Sequence, residues 1–286
     1  TTETLRKLKV GVVGCSGTGS PLIEQLTRLG VGELVLVDDD VVEERNLNRI
    51  IQASADDARQ QRPKVDVVTD AVHRAGLGTQ VTPVALNLRH PDAVRAVAGC
   101  DVVFGCMDSV LGRLVLNSIA AYYTLPYFDL GVRLETHQRE NGGIAIKEVV
   151  GSVHYLQPDG SSLISRGVVD VNQASAEALQ QDDPETYSQE VKEKYIVGAN
   201  ERSPAVVSVN MSIAALAVND FLARLHPYRD REHENDQVAC IRLSLASLEL
   251  FYDPEGKPCA FLAGKVGTGD VDPLLGLPML SGRPRS

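Results

Sequence analysis

Apolar positions along this chain fall first in short continuous runs separated by amphipathic stretches. Val10 to Val13 and Leu34 to Val37 read as buried strands. Between them lie a glycine loop, Gly14 to Gly19, and a helix, Ser20 to Leu29. Pro63 opens a helix to about Ala75, with Val65, Val68, Ala71 and Val72 on one face. Gln80 to Val84 is a third strand, Pro91 to Ala98 a short helix, Asp101 to Gly105 a fourth strand, Val110 to Tyr122 a helix and Pro126 to Val132 a fifth strand. This alternation predicts an α/β, Rossmann-like fold, a mostly parallel sheet with helices on both faces.

From Gly143 to Leu156 the pattern changes to two β runs of little helical character, and Gln237 to Tyr252 reads as a hairpin, so the sheet is expected to continue into an antiparallel part. Ser175 to Val197 is polar, acidic and helical in part, with Pro184 opening PETYSQEVKEKY. SPAVVSVNMSIAALAVNDFLARL predicts a helix capped by Ser203 with Pro204 at its first position; it is apolar or small on nearly every face, which means burial within the domain or in a dimer. The Gly/Pro-rich tail from Gly264 to Ser286 shows no core of its own. No linker interrupts the chain, so residues 1–286 are expected to form one domain: a nucleotide-binding half over 1–135, a substrate-side half over 136–255 and a tail over 256–286.

A strand, a glycine loop and a helix N-terminus make a phosphate site, because loop amides and the helix dipole point at the same spot. A dinucleotide loop would need glycine at positions occupied here by Gly14, Ser16 and Gly19, so its second glycine is missing; the loop reads G-x-x-G-x-G through Gly14, Gly17 and Gly19. Behind it stand Asp38, Asp40, Asn46, Arg49 and Lys64, and later Asp108 in GCMDS. Asn, Arg and Lys beside the loop serve a nicotinamide poorly but supply charge for the β- and γ-phosphates of a nucleoside triphosphate, and an aspartate ending a later strand can hold magnesium. Asp108 or Ser109 could alternatively cap the helix that follows, and Arg113 and Asn117, four apart on it, either brace the site or form a polar face.

The segments GCSGTGS, DDDVVEERNLNR, RPKV and CMDSVLGRLVLN resemble those of the ThiF/HesA/MoeB and ubiquitin-activating-enzyme superfamily, from about Leu5 to about Leu225. The resemblance implies ATP-dependent adenylation of the C-terminal carboxylate of a small ubiquitin-like or sulfur-carrier protein, with release of pyrophosphate. Its other implications are ATP and Mg²⁺ as cofactors, a homodimer, and a downstream conjugating enzyme. Carried onto this chain, it assigns nucleotide binding to Gly14, Gly17, Gly19, Asp38, Asp40, Asn46, Arg49, Lys64 and Asp108, catalysis to Arg49, Lys64 and Asp108, and the magnesium to Asp108. The crossover segment, 175–200, would pass over the substrate tail as a mobile lid or stand as an ordinary solvated helix. The SPAVVSVN helix and the short N-terminal approach look most like bacterial relatives found beside ubiquitin-like conjugation or JAB-type peptidase genes. Alternatives are adenylation of a small peptide or other carboxylate, and a non-catalytic scaffold paired with an active adenylyltransferase.

Three departures from the family pattern matter. Where relatives hold a structural zinc on two C-x-x-C pairs, this chain has Ser162 and Ser165, then Cys259 and Leu262, so no zinc site is expected. None of Cys15, Cys100, Cys106, Cys240 and Cys259 is placed like a thioester-forming nucleophile. The chain also begins too close to the loop to include the family's N-terminal arginine-bearing element, whose counterpart is expected upstream. Composition narrows the rest. A formal charge of -10 over 286 residues disfavours nucleic acid, and no apolar run reaches the ~18 residues of a membrane span. Five scattered cysteines fit a reducing cytoplasm, and six unclustered histidines, His137 and His154 among them, read as surface residues.

Overall fold

The computed structural model describes residues 1–138, 144–192, 206–229, 238–277 and 280. Among them strands β1 (Lys9–Val13), β2 (Glu33–Val37), β3 (Gln80–Val84), β4 (Val102–Gly105), β5 (Tyr127–Gln138), β6 (Ile144–Leu156), β7 (Cys240–Ser244) and β8 (Glu249–Asp253) form one sheet in the order β3-β2-β1-β4-β5-β6-β7-β8. The helices are α1 (Thr2–Leu5), α2 (Gly19–Leu29), α3 (Ala55–Arg59), α4 (Lys64–Ala75), α5 (Pro91–Ala98), α6 (Val110–Tyr122), α7 (Val171–Asp182), α8 (Pro184–Lys192) and α9 (Val207–Leu225). Strands β3, β2, β1, β4 and β5 run parallel, and β6, β7 and β8 are added antiparallel. The α/β, mostly parallel sheet continuing into an antiparallel part is therefore as the pattern predicts. β1 is flanked by β2 on one side and β4 on the other, so the chain reverses its direction of travel across the sheet there, and the carboxyl ends of β1 and β4 border a crevice.

Helices cover both faces. Leu22, Ile23 and Leu26 of α2, Val65, Val68 and Val72 of α4, and Ile213, Ala217 and Phe221 of α9 close one core over Val10, Val12, Leu34 and Leu36. Phe104 and Phe128 stack at 4.8 Å within it, and Phe221 meets Phe104 edge-on at 5.6 Å. Val94 and Val97 of α5 and Val115, Leu116 and Ile119 of α6 close the other core over Val13, Val35, Val37 and Val103.

Several expectations change. The segment from Ile144 to Leu156 is one strand rather than two β runs, because it pairs along its whole length with a β5 that extends to Gln138. α9 begins at Val207 with an extended Val206 before it; the expected cap Ser203 and first residue Pro204 lie outside the described residues. Of the two burials expected for it, the one within the domain covers a single face: Ile213 packs directly onto the strand at Gly151, while Met211 is 45% exposed on the opposite face of this chain. The tail, expected to have no core of its own, contributes Leu274, Leu275 and Leu280 to the main cluster that holds Tyr122 and Leu125. His154 is a further correction, buried on β6 rather than at the surface. The polar segment 175–200 is helical through α7 and α8, with Pro184 opening α8; residues 193–200 lie outside the described residues. Among the described residues no helix is long and apolar enough to cross a membrane.

Candidate functional site

Backbone proximity at the crevice dictates glycine. Gly14 has φ +93°, and a Cβ there would lie 2.7 Å from the carbonyl oxygen of Cys106 beyond β4. A Cβ on Gly19 would lie 1.8 Å from the carbonyl oxygen of Gly14, so the first turn of α2 sits directly on the loop. Gly17 is bounded by side chains instead, with Asn210 Nδ2 2.5 Å and Arg49 Cδ 3.4 Å from its added Cβ. The loop is thus held between β4, α9 and the segment carrying Arg49. Ser20 reinforces the last contact: its hydroxyl donates to the Arg49 carbonyl at 3.3 Å and accepts from the Ile51 amide at 3.3 Å, while its own carbonyl accepts from Gln52 Nε2 at 2.9 Å.

Asp38 follows β2, and its carboxylate accepts from the Cys15 amide at 2.7 Å and the Asp40 amide at 3.0 Å. Burial pushes its carboxyl above the usual range, against the opposing charge of Lys64 and those two amides. Lys64 opens α4 behind Pro63, which is the residue before the helix, and is buried. The Lys64 amide donates to the Asp40 carbonyl at 3.0 Å, and Val41 bridges Pro63, so the acidic turn and the start of α4 are fixed to each other. The Lys64 ammonium then lies 2.6 Å from Asp40 Oδ2 and 3.8 Å from Asp38 Oδ1. Carboxylate oxygens of Asp38, Asp39 and Asp40 lie within 4.8 Å of one another. This ammonium already contacts two of the three carboxylates, so the cluster is a lysine site before it is a metal site.

The remaining positions divide. Asn46 is buried, and its Oδ1 accepts from the Glu43 amide at 3.0 Å, closing the short helical turn Glu44–Asn46. Its acceptor therefore shapes the turn that delivers Arg49. Arg49 is half-buried, with Nη1 donating to the Arg45 carbonyl at 2.8 Å and Asn48 Oδ1 at 3.3 Å. Asp108 is exposed beyond β4, and among the described residues no hydrogen bond or ion pair occupies its carboxylate. The cap of α6 is Ser109, whose hydroxyl accepts from the Gly112 amide at 3.0 Å, which leaves Asp108 for another role. An exposed carboxylate of this kind suits Mg²⁺, which takes one or two carboxylates and fills its octahedron with phosphate and water. Arg113 and Asn117 tie α6 to β5 and to the segment at Leu163 instead of forming a solvated polar face. Arg113 forks onto Asp129 of β5, Tyr127 OH donates to the same carboxylate at 2.7 Å, and Asn117 Oδ1 accepts from the Leu163 amide at 2.9 Å.

The pattern of residues missed four contributors. Asn210 reaches Gly17 from a helix nearly two hundred positions away in sequence, with no local signal beyond a polar residue in an apolar run. Glu177 of α7 accepts from the Leu111 amide at 2.8 Å, so the crossover segment docks on the first turn of α6 beside Asp108. Asn87 donates to Asp39 at 2.8 Å, and Arg89, two residues on, pairs with Asp182 at 2.5 Å at the far end of α7.

Ser162, Ser165, Cys259 and Leu262 do converge. Ser165 Oγ accepts from the Ser162 amide at 2.9 Å, and Leu262 is buried against Cys259 and Ala121. Burial pushes the Cys259 thiol up, but hydrogen bonds from Ser162, the Leu262 and Phe261 amides and Ser165 bring it below its usual value. One thiol, two hydroxyls and an aliphatic side chain do not suit tetrahedral zinc. Cys15, Cys100, Cys240 and Cys259 are buried, and burial pushes Cys100, Cys106 and Cys240 up to about 12, the reverse of an activated nucleophile.

Residues 1–242 match the ThiF family. A SAMP-activating enzyme E1 from Haloferax volcanii is 37% identical over 118 residues, 41% of this chain and 43% of that protein. The molybdopterin-synthase adenylyltransferase of Escherichia coli K12 is 35% identical over 116 residues, 41% of this chain and 46% of that protein. The chain thus matches less than half the length of either relative. A crystal structure of E. coli MccB with ATP aligns at a TM-score of 0.61 and 18% identity, covering 91% of this chain and 67% of that one, and shares the fold.

Proposed function

The chain belongs to the ThiF family, and from that premise we propose that it is an ATP- and Mg²⁺-dependent adenylyltransferase that activates the C-terminal carboxylate of a small ubiquitin-like or sulfur-carrier protein. The observation that carries this reading is the convergence of the glycine loop, Asp38 and Lys64 at the carboxyl ends of β1 and β2, at the point where strand order reverses beside β4 and Asp108. The relatives named as a SAMP-activating enzyme and an adenylyltransferase, and the fold relative crystallised with ATP, point the same way.

In adenylation a carboxylate attacks the α-phosphorus and pyrophosphate leaves in line. The nucleophile is already an anion at neutral pH, so the site requires no general base. Its task is to hold two anions together and offset their repulsion. In this reading the loop amides from Gly14 to Gly19 take phosphate oxygens, Asp38 takes the ribose hydroxyls, and Arg49 and Lys64 neutralise the leaving pyrophosphate. Asp108 would hold Mg²⁺, which when bound supplies further charge to the β- and γ-phosphates. Asn46 acts through the turn it closes.

A protein rather than a small carboxylate as substrate is supported by the β7–β8 hairpin. Leu245, Leu248, Leu250 and Phe251 there are 40%, 84%, 60% and 42% exposed, an apolar edge suited to a folded carrier. We further read the chain as one adenylation domain whose nucleotide-binding half ends near residue 135. The exposed Met211 and Val206 of the α9 region are offered to the partner in a homodimer, and five unpaired cysteines suit the cytoplasm. The test is ATP–pyrophosphate exchange with candidate carriers. Exchange that depends on a carrier's C-terminal glycine supports the proposal; exchange with a free peptide alone moves the substrate to a peptide. Tight ATP binding with no exchange favours a scaffold, and preference for NAD over ATP overturns the reading.

A further inference from the structure

The Lys64 ammonium has a counter-ion that the adenylation reading leaves without a task. Lys64 Nζ lies 2.6 Å from Asp40 Oδ2, and the two side chains differ sharply in freedom: that of Lys64 is 6% exposed and that of Asp40 70%. The lysine stem is packed, so its ammonium stays where it is. The aspartate main chain is equally fixed, because its amide is bonded to Asp38 Oδ1 at 3.0 Å and its carbonyl accepts from the Lys64 amide at 3.0 Å. Only the Asp40 carboxylate can leave. Asp38 does not take its place, since it stands 3.8 Å from Nζ and is held there by the Cys15 and Asp40 amides, one on each oxygen.

We propose that Asp40 is a positioning residue rather than a nucleotide ligand: its carboxylate holds the Lys64 ammonium while the site is free and swings into solvent when the triphosphate takes that ammonium over. The inference rests on the adenylation reading and adds the competition that sets nucleotide affinity. Asp38 stands beyond hydrogen-bond reach of the buried ammonium, so the direct hydrogen bond comes from the exposed Asp40 carboxylate at 2.6 Å, a partner that exchanges readily with water. Each nucleotide that binds must displace this partner, so Asp40 weakens ATP binding and eases release of pyrophosphate. Asp39, adjacent and also exposed, bonds to Asn87 rather than to Lys64 and provides a control of equal charge.

The experiment measures Mg·ATP affinity by calorimetry for the wild type, Asp40→Asn, Asp39→Asn, Lys64→Met and the double variant Lys64→Met/Asp40→Asn, with thermal melts on each. D40N is expected to tighten ATP binding on the order of fivefold, the size of a partly exposed ion pair exchanged for a new partner. D39N should give clearly less, and D40N should give no gain in the K64M background, because the effect acts through Lys64. D40N binding equal to or weaker than wild type overturns the proposal, as does an equal gain in D39N or a gain that persists without Lys64. If K64M does not fold, the comparison of D40N with D39N decides alone. A wild type that binds no ATP would overturn the adenylation reading itself, whereas the other adverse results remove only the role given to Asp40.

Discussion

His154 makes the folding free energy of this protein sensitive to mild acid. Its ring sits on β6, opposite Asp129 of β5 and Cys240 of β7, and is buried at 8% exposure. Nε2 meets Cys240 Sγ at 3.7 Å, and among the described residues Nδ1 has no hydrogen-bond partner. Burial lowers its pKa to about 4, with Asp129 opposing that shift and Arg166 and Arg113 adding to it. The unfolded chain binds a proton near pH 6.5. Stability is therefore complete above that value, declines as the unfolded state takes up a proton that the folded state refuses, and stops declining once pH passes below the folded value. At about 1.4 kcal/mol per pH unit, acidification from about pH 7.5 to about pH 5 removes roughly 2 kcal/mol through this one residue. Urea unfolding of the wild type and His154→Leu across that interval isolates the effect, because the other histidines are common to both. The wild type should lose about 2 kcal/mol more than the variant over the interval. Parallel pH profiles would refute the reasoning. Since Nδ1 is unpartnered, the variant should also lose little stability at neutral pH, as an orphaned buried polar atom is removed with the ring.

Arg49→Ala and Lys64→Ala should both reduce ATP–pyrophosphate exchange by on the order of a hundredfold, but only K64A should also destabilise, by about 1–3 kcal/mol, because it strands the buried Asp38; calorimetric melting separates the two. Gly19→Ala places a methyl 1.8 Å from the Gly14 carbonyl oxygen, so the loop must shift and equilibrium dialysis should show ATP binding lost even in a folded variant. Leu248→Glu with Leu250→Glu should raise the apparent KM for a carrier protein in the exchange assay about tenfold or more while leaving that for ATP unchanged, since both side chains are exposed on the outer hairpin.

Taken by itself, the amino-acid pattern determined most of the architecture, for a local reason. Strand and helix periodicities at Gln80–Val84, Pro91–Ala98 and Val110–Tyr122 are written in consecutive residues, and the structure places these elements with those ends. The glycine spacing likewise marked the tight loop after β1, where a Cβ on Gly14 or Gly19 would meet backbone, because the need to lose a Cβ is a local requirement. Other features depend on which side chains meet across the fold. Whether Asp108 or Ser109 caps α6 was open in the residues and was decided by the direction of one hydroxyl. Asn46 was expected beside the nucleotide, and only the fold reveals that its oxygen also closes the turn that delivers Arg49. His154 looked superficial because nothing next to it in the chain reports that β5 and β7 flank its strand. Asn210 and Glu177 reach the site from α9 and α7, and Asp40 and Lys64 are paired only because the acidic turn and the start of α4 are bonded through their main chains. Periodicity records which face of an element is apolar, but only the packed sheet and helices determine which polar group each buried charge will find, and at this site those pairings set the chemistry.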